Sequence, residues 1–333
     1  MHLLRYFFML RSYPPFRRGS DMDCLWTILG GIVLFLFGMT LLGEHLQELS
    51  GGRAEQALRR VTDSRGRGAL LGFAVTAVVQ SSSAVTVMAV SLADAEILSL
   101  RQIVPVMIGS NVGTTATAWM LCLQMGPSAA ASALTVAAAC VGLLLYLLVP
   151  KRRAWGGLLL GLYLLLTGME RMAASAAPLA ETETFHRLMG LAVHPLAAVL
   201  VGTAVTGVLQ SSSASIGLLQ AFSATGKVPW SVGVPLVLGG NIGTCVTVLL
   251  ASIGGGSNAK RAALAHLRFN LLGTAMLLPL WMSFGASMGN RPIDPMEIAA
   301  VHTAFNLLSV AMLLPLSDYL TGSFLFPARG KQA

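Results

Sequence analysis

The chain has 333 residues, of which 55% are hydrophobic and only 11% charged. A soluble domain carries about 25% charged residues, so most of this chain has no water to face. The net charge of +8 lies in short basic runs between apolar segments, without aromatic interleaving, which argues against nucleic acid and fits membrane loops.

In chain order, residues 1–21 form a basic, aromatic N-terminal extension (Arg5, Arg11, Arg17, Arg18). No small-residue cleavage site follows a proper apolar core there, and Met22 is the expected start. Spans are predicted at 24–43, 99–122, 128–149, 154–175, 229–252, 262–281 and 297–316. Apolar runs such as Leu25–Gly43 and Pro127–Pro150 are of the length, about 20 residues, that crosses a hydrocarbon core roughly 30 Å thick. Re-entrant helical hairpins are predicted at 68–93 and 196–224. The expected fold class is thus an all-α polytopic membrane protein with about seven spans and two hairpins.

An internal repeat organises these elements. ALLGFAVTAVVQSSSA (69–84) matches VLVGTAVTGVLQSSSA (199–214) at eleven of sixteen positions, 130 residues apart. The same offset places Pro105 on Pro235, Gly109 on Gly239, and Asn111-Val112-Gly113-Thr114 on Asn241-Ile242-Gly243-Thr244. Backward, Gly38-Met39 falls on Gly168-Met169. Repeat 1 is expected over 22–150 and repeat 2 over 151–281, with a final span and short tail over 282–333. A lone serine run in an apolar helix reads as close packing. Two matched copies, each with an upstream Thr (Thr76, Thr206) and a downstream Asn-x-Gly-Thr, favour a site.

Loop charge sets the topology. Arg53, Arg59, Arg60, Arg65 and Arg67 crowd the loop after the first span. The equivalent loop, ETETFHR, carries Glu181, Glu183 and one Arg187. Basic loops face the cytoplasm, so equivalent loops lie on opposite sides, as in inverted-topology repeats. The threaded model puts the N-terminus outside and the C-terminus (Arg329, Lys331) in the cytoplasm. It places 14 of the 18 Lys and Arg after Met22 inside, all but Arg171, Arg187, Lys227 and Arg291.

The motifs suggest a chemistry. Non-helical backbone at membrane depth persists only when buried in protein or lining a wet cavity. A helix broken at Gln-Ser-Ser-Ser exposes an N-terminus that suits an anion and a C-terminus whose carbonyls suit sodium. Ser hydroxyls and the amides of Gln80, Gln210, Asn111 and Asn241 can donate or accept. No Asp, Glu, Lys or Arg lies inside the motifs, and an unpaired charge at that depth would cost several kcal/mol. The lack of buried carboxylates favours sodium over a proton relay. Cys24, Cys122, Cys140 and Cys245 form no C-x-x-C pair and read as small buried residues rather than metal or disulfide ligands. His266 and His302, with Asn270 and Asn306, read as hydrogen-bonding groups between helices. The stretch 254–258 reads as a turn, not a phosphate loop.

With these motifs in hand, the chain resembles the type II sodium/phosphate cotransporter family and its bacterial members. The resemblance runs from Met22 to about Leu316. It includes FLFGM (35–39), both QSSSA stretches, GSNVGTT (109–115), GGNIGTC (239–245), HLRFNLL (266–272) and HTAFNLL (302–308). It implies no enzymatic activity and no cofactor, with phosphate as substrate, sodium as coupling ion, and a moving transport domain working by alternating access against a scaffold. Binding is implied at Gln80, Ser81, Ser82, Ser83, Gln210, Ser211, Ser212 and Ser213, then at Thr76, Thr206, Asn111, Thr114, Asn241 and Thr244. No metal is implied beyond transported sodium. The implied partners are phosphate, sodium and the lipid bilayer of a bacterial inner membrane, and a homo-oligomer stays open. Many bacterial members carry a helical C-terminal regulatory domain resembling PhoU, and none is expected within these 333 residues. Cys245 stands where Thr is common. The competing readings are a carrier of another oxyanion such as sulfate or a small carboxylate, an intramembrane serine hydrolase, and a membrane sensor or scaffold. No G-x-S-x-G supports the hydrolase, and the intact motifs argue against the sensor.

Overall fold

The computed structural model describes residues 21–51, 53–59, 64–122, 129–288 and 290–321. Residues 1–20 of the N-terminal extension, the loop at 123–128 and the tail with Arg329 and Lys331 lie outside them. Within the described residues the fold is helical, with one isolated bridge between Pro229 and Pro292.

The helices are α1 (Asp21–Leu49), α2 (Arg53–Arg59), α3 (Arg65–Val79), α4 (Ser82–Asp94), α5 (Leu100–Cys122), α6 (Ala129–Leu148), α7 (Arg153–Ala180) and α8 (Glu183–Leu191). There follow α9 (Pro195–Leu209), α10 (Ser212–Ser223), α11 (Trp230–Gly243), α12 (Cys245–Ser252), α13 (Ser257–Met288), α14 (Pro295–Leu313) and α15 (Ser317–Leu320). The predicted hairpins at 68–93 and 196–224 are α3–α4 and α9–α10. The bounds of α3 and α9 are 130 residues apart, as are those of α5 and the α11–α12 pair.

Five segments among the described residues are long and apolar enough to cross a membrane: Met22–Leu49, Pro150–Ala180, Trp230–Ser252, Ser257–Ser283 and Pro295–Leu320. Seven spans are predicted, and the two at 99–122 and 128–149 are present as α5 and α6 without reaching that measure. In α5 the reason is chemical. Ser110, Asn111, Thr114, Thr115 and Thr117 are buried in protein, so this helix does not need a lipid-facing composition. The predicted loop ETETFHR is instead α8, capped by the Thr182 hydroxyl accepting from Phe185 N–H and bent 116° from α9.

Small residues set the helix pairs. A Cβ on Gly38 would lie 2.3 Å from Leu165 N, and one on Gly168 would lie 2.5 Å from Phe35 N. Gly31 meets Gly168, and Gly161 meets Gly38 and Leu42. Low numbers on α1 therefore meet high numbers on α7, so these two helices run antiparallel. Glycine at such contacts lets backbones approach closely where lipid supplies no hydrophobic drive.

The opposite rule holds between the first arm of each hairpin and the helix that follows it. A Cβ on Gly72 would lie 2.0 Å from Val106 O, and one on Gly113 would lie 2.6 Å from Thr76 Cβ. Numbers rise together, so α3 and α5 run parallel. The same holds for α9 and α11, where Gly202 meets Leu236 O at 2.2 Å and Gly243 meets Thr206 Cβ at 2.6 Å. A parallel third helix requires the second arm to return the chain to the side from which the first arm left.

Helix ends fall into two sets. In one, Arg65 pairs with Asp318, Arg101 approaches Asp318 at 3.8 Å, and Asp94 Oδ1 accepts from Gly256 N at 2.8 Å. Arg261 and Arg268 donate to Thr321 O and Leu320 O at 3.2 and 2.8 Å. In the other set, Lys227 pairs with Glu181 at 3.2 Å, Trp230 N donates to Arg291 O at 2.8 Å, and Ile293 N donates to Val228 O at 3.0 Å. These are the groupings that loop charge predicts for the two faces of the membrane.

Candidate functional site: two strained helix breaks

Each hairpin turns on one residue. Gln80 (φ 56°) and Gln210 (φ 51°) adopt left-handed backbone, and among the described non-glycine residues only Glu96 shares it. Such a conformation costs a non-glycine residue of order 1–3 kcal/mol and persists only where its surroundings impose it, commonly at ligand sites. Gln80 N still donates to Thr76 O at 2.7 Å, closing the end of α3. The next residues, Ser81 and Ser211, are extended (φ −146° and −145°). Their hydroxyls accept from Ala84 N and Ala214 N, each at 3.2 Å. Ser81 and Ser211 are thus N-caps, each with its hydroxyl proton and a second lone pair left to offer a ligand. Ser82, Ser83, Ser212 and Ser213 form the first turns of α4 and α10, where backbone N–H groups lack helical acceptors.

The predicted second-tier residues divide. Thr76 and Thr206 are buried behind the breaks, and their hydroxyls have no hydrogen-bond partner. Thr114 and Thr244 donate to Ser110 O (3.3 Å) and Asn241 O (2.6 Å) on their own helices. Asn111 and Asn241 are committed elsewhere. Asn111 Nδ2 donates to Asn270 Oδ1 at 3.1 Å, and its Oδ1 meets His266 Nε2 at 3.1 Å. Asn270 Nδ2 reaches Cys245 Sγ (3.3 Å) and His266 O (3.0 Å). In the other half, Asn306 Nδ2 bonds Asn241 Oδ1 at 3.2 Å and His302 O at 2.8 Å. The two H-x-x-F-N segments therefore brace the two Asn-x-Gly-Thr segments, the interhelical role predicted for Asn270, Asn306 and His266. His302 contributes its backbone carbonyl.

Two residues not singled out in the sequence also enter. Thr117 Oγ1 donates to Gln80 Oε1 at 3.0 Å, while Gln80 Nε2 donates to Ala77 O at 2.6 Å. The repeat offset carries Thr117 onto Thr247, and that symmetry is the signal that could have found it. Gln220 lies fully buried on α10 and bonds across to α5 and α14. Its equivalent is Val90, so the repeat gives no signal for it.

The halves interlock. The second arm of the first hairpin, α4, packs on α12, and the second arm of the other, α10, packs on α5. The helix begun by Ser212 therefore rests on the Asn-x-Gly-Thr helix of the opposite half, and the helix begun by Ser82 rests on the segment that follows the Asn-x-Gly-Thr of the other. Chemically, the site offers neutral hydroxyls, amides and helix ends.

Comparison with known proteins agrees with this architecture. The profile described as Na+/Pi-cotransporter matches residues 34–174 and again residues 164–314. The uncharacterized protein YqeW of Bacillus subtilis is 32% identical over 251 residues, 74% of this chain and 80% of its own length. The Escherichia coli (strain K12) protein named "Putative inorganic phosphate export protein YjbB" is 25% identical over 280 residues, 83% of this chain. This chain spans about half the length of YjbB. The rat "Sodium-dependent phosphate transport protein 2A" is 37% identical over 98 residues, 28% of this chain and 15% of its own. No solved structure matches. One profile satisfied twice, with starts 130 residues apart like the two glutamine breaks, makes this multi-pass membrane protein a member of the Na+/Pi-cotransporter family.

Proposed function

We propose that the chain is a sodium-coupled transporter of inorganic phosphate whose anion and sodium are held between the two Gln-Ser-Ser-Ser breaks. The observation that carries this reading is the pair of left-handed glutamines, each followed by a serine-capped helix start. Paired helix N-termini and hydroxyls suit phosphate oxygens without a fixed positive charge. The carbonyl ends of α3 and α9 suit sodium, which reduces the cost of moving a multiply charged anion through a low-dielectric interior. The relatives' names point to the same cargo: one is a phosphate exporter by name, the other a sodium-dependent phosphate transporter.

Inverted repeats and alternating access belong to the same proposal. The antiparallel contact of the equivalent helices α1 and α7 supports a pseudo-two-fold axis in the membrane plane. Basic residues on the face with Arg65, Arg101 and Arg261 support a cytoplasmic side there, with the N-terminus outside and the C-terminus inside a bacterial inner membrane.

The test is radiolabelled phosphate uptake by proteoliposomes under an imposed sodium gradient. The expected result is flux that collapses when the gradient is removed and that unlabelled phosphate suppresses more strongly than sulfate. Folded protein without sodium-dependent flux would overturn the reading. For topology, a cysteine at position 183 should react with impermeant reagent from outside, and one at position 59 only from inside.

A further inference from the structure

We infer that Gln220 is a positioning residue of the transport site, a fixed joint that sets the spacing between the two serine-bearing halves; this rests on the transport reading above. Gln220 has no exposed surface. Its Nε2 donates toward Ala118 O (3.1 Å) and Cys122 Sγ (3.2 Å) on α5, and toward Pro295 O (3.1 Å) at the start of α14. One amide thus ties three helices, and all its acceptors lie outside its own hairpin.

The placement gives the tie a purpose. Gln220 lies seven and eight residues beyond Ser213 and Ser212, roughly 11 Å along α10 at about 1.5 Å per residue. Ala118 lies one turn beyond Thr114 on α5. The bond therefore joins the serine-led helix of one half to the Asn-x-Gly-Thr helix of the other, about two turns behind the ligating ends. A shift of α10 along α5 would change the separation of the two helix breaks directly.

The joint is permanent because opening it is expensive. Withdrawing the buried Nε2 from these acceptors without water would leave its two N–H groups unsatisfied, beside an Oε1 that already has no partner. The corresponding tie of the first hairpin is of another kind. At the end of α4, Asp94 accepts from Gly256 N at the water-exposed face, where solvent can replace the bond. Val90 and Ala224 stand at the positions equivalent to Gln220 and Asp94, so each tie belongs to one half alone. On this reading α10, the outer end of α5 and the start of α14 move as one body, and the first hairpin is the arm free to shift.

The experiment uses full-length protein in proteoliposomes in a Cys140→Ser background, removing the exposed thiol. Absence of sodium-driven flux before any change at 220 overturns the transport reading itself. Given that flux, Gln220→Leu should raise the phosphate KM at least about fivefold while kcat stays within about twofold, the split expected when binding geometry is lost and the cycle is not. An unchanged KM in folded Gln220→Leu overturns the joint. Gln220→Cys supplies the second arm: its KM should rise similarly, then fall back when a short bifunctional methanethiosulfonate links the introduced thiol to Cys122. Flux abolished by that link and restored by reductant would show that the joint must open, and would overturn the proposal.

Discussion

The two Gln-Ser-Ser-Ser halves share a sequence pattern but not a set of bonds. In the first, Thr117 clasps Gln80 at 3.0 Å, and Asn111 is held by both Asn270 and His266. In the second, the Thr247 hydroxyl is buried without a partner, Gln210 is exposed, and Asn241 has Asn306 as its side-chain partner. The helix following the first hairpin is continuous through Cys122, whereas its equivalent is interrupted at Thr244. Cys245, in the place of Thr115, faces Asn270. Duplication therefore supplies two similar scaffolds, and packing against α13 and α14 makes them chemically different.

Several substitutions would break or sharpen that contrast. The largest effect is expected at the serines that begin α4 and α10. Ser82→Ala and Ser212→Ala should each reduce phosphate flux by about tenfold to a hundredfold, since a hydrogen bond to a charged ligand contributes ~1.5–3 kcal/mol. Expression should be unchanged. Wild-type flux from both variants would mean that neither serine contacts the cargo.

Next come the bracing asparagines. Asn270→Ala removes bonds to Asn111, Cys245 and the His266 carbonyl, leaving the buried Asn111 Nδ2 unpaired at ~1–3 kcal/mol. Asn306→Ala removes two bonds. Thermal unfolding in detergent should show a larger drop in Tm for Asn270→Ala; equal drops would mean that the two halves are braced alike.

Smaller still is the clasp. Thr117→Val should lower unliganded stability by about 1 kcal/mol, the net worth of one hydrogen bond, and Thr247→Val by less, because Thr247 makes no bond to lose. A larger loss for Thr247→Val would reverse the assignment of the clasped half. The smallest effect belongs to Arg65 and Asp318 at the surface. Both are partly exposed, so a double-mutant cycle should yield about 0.2–1 kcal/mol, shrinking as salt is raised.

Much of this was legible in the chain itself. Hydropathy and the 130-residue offset located both hairpins within three residues of their observed ends, because apolar runs and turn residues act locally. Loop charge sorted the helix ends into two sets, and the interhelical pairs join members of the same set. The amphipathic α8 looks like a loop in the sequence because its polar residues, ETETFHR, resemble a connection; the Thr182 cap and the buried Phe185 make it a helix. The α5 span has a weaker apolar signal because its threonines and Asn111 face protein instead of lipid.

What the sequence determined on its own was the membrane class, the order of elements and the existence of two equivalent broken helices, all consequences of composition and short-range pattern. Only the tertiary structure decided which polar groups remain free to bind. The bond from Thr117 to Gln80 spans 37 residues, from Gln220 to Ala118 spans 102, and from Asn111 to Asn270 spans 159. Whether a buried amide meets a partner depends on how distant helices pack, and an unpartnered hydroxyl such as that of Thr206 looks the same in the sequence as a satisfied one.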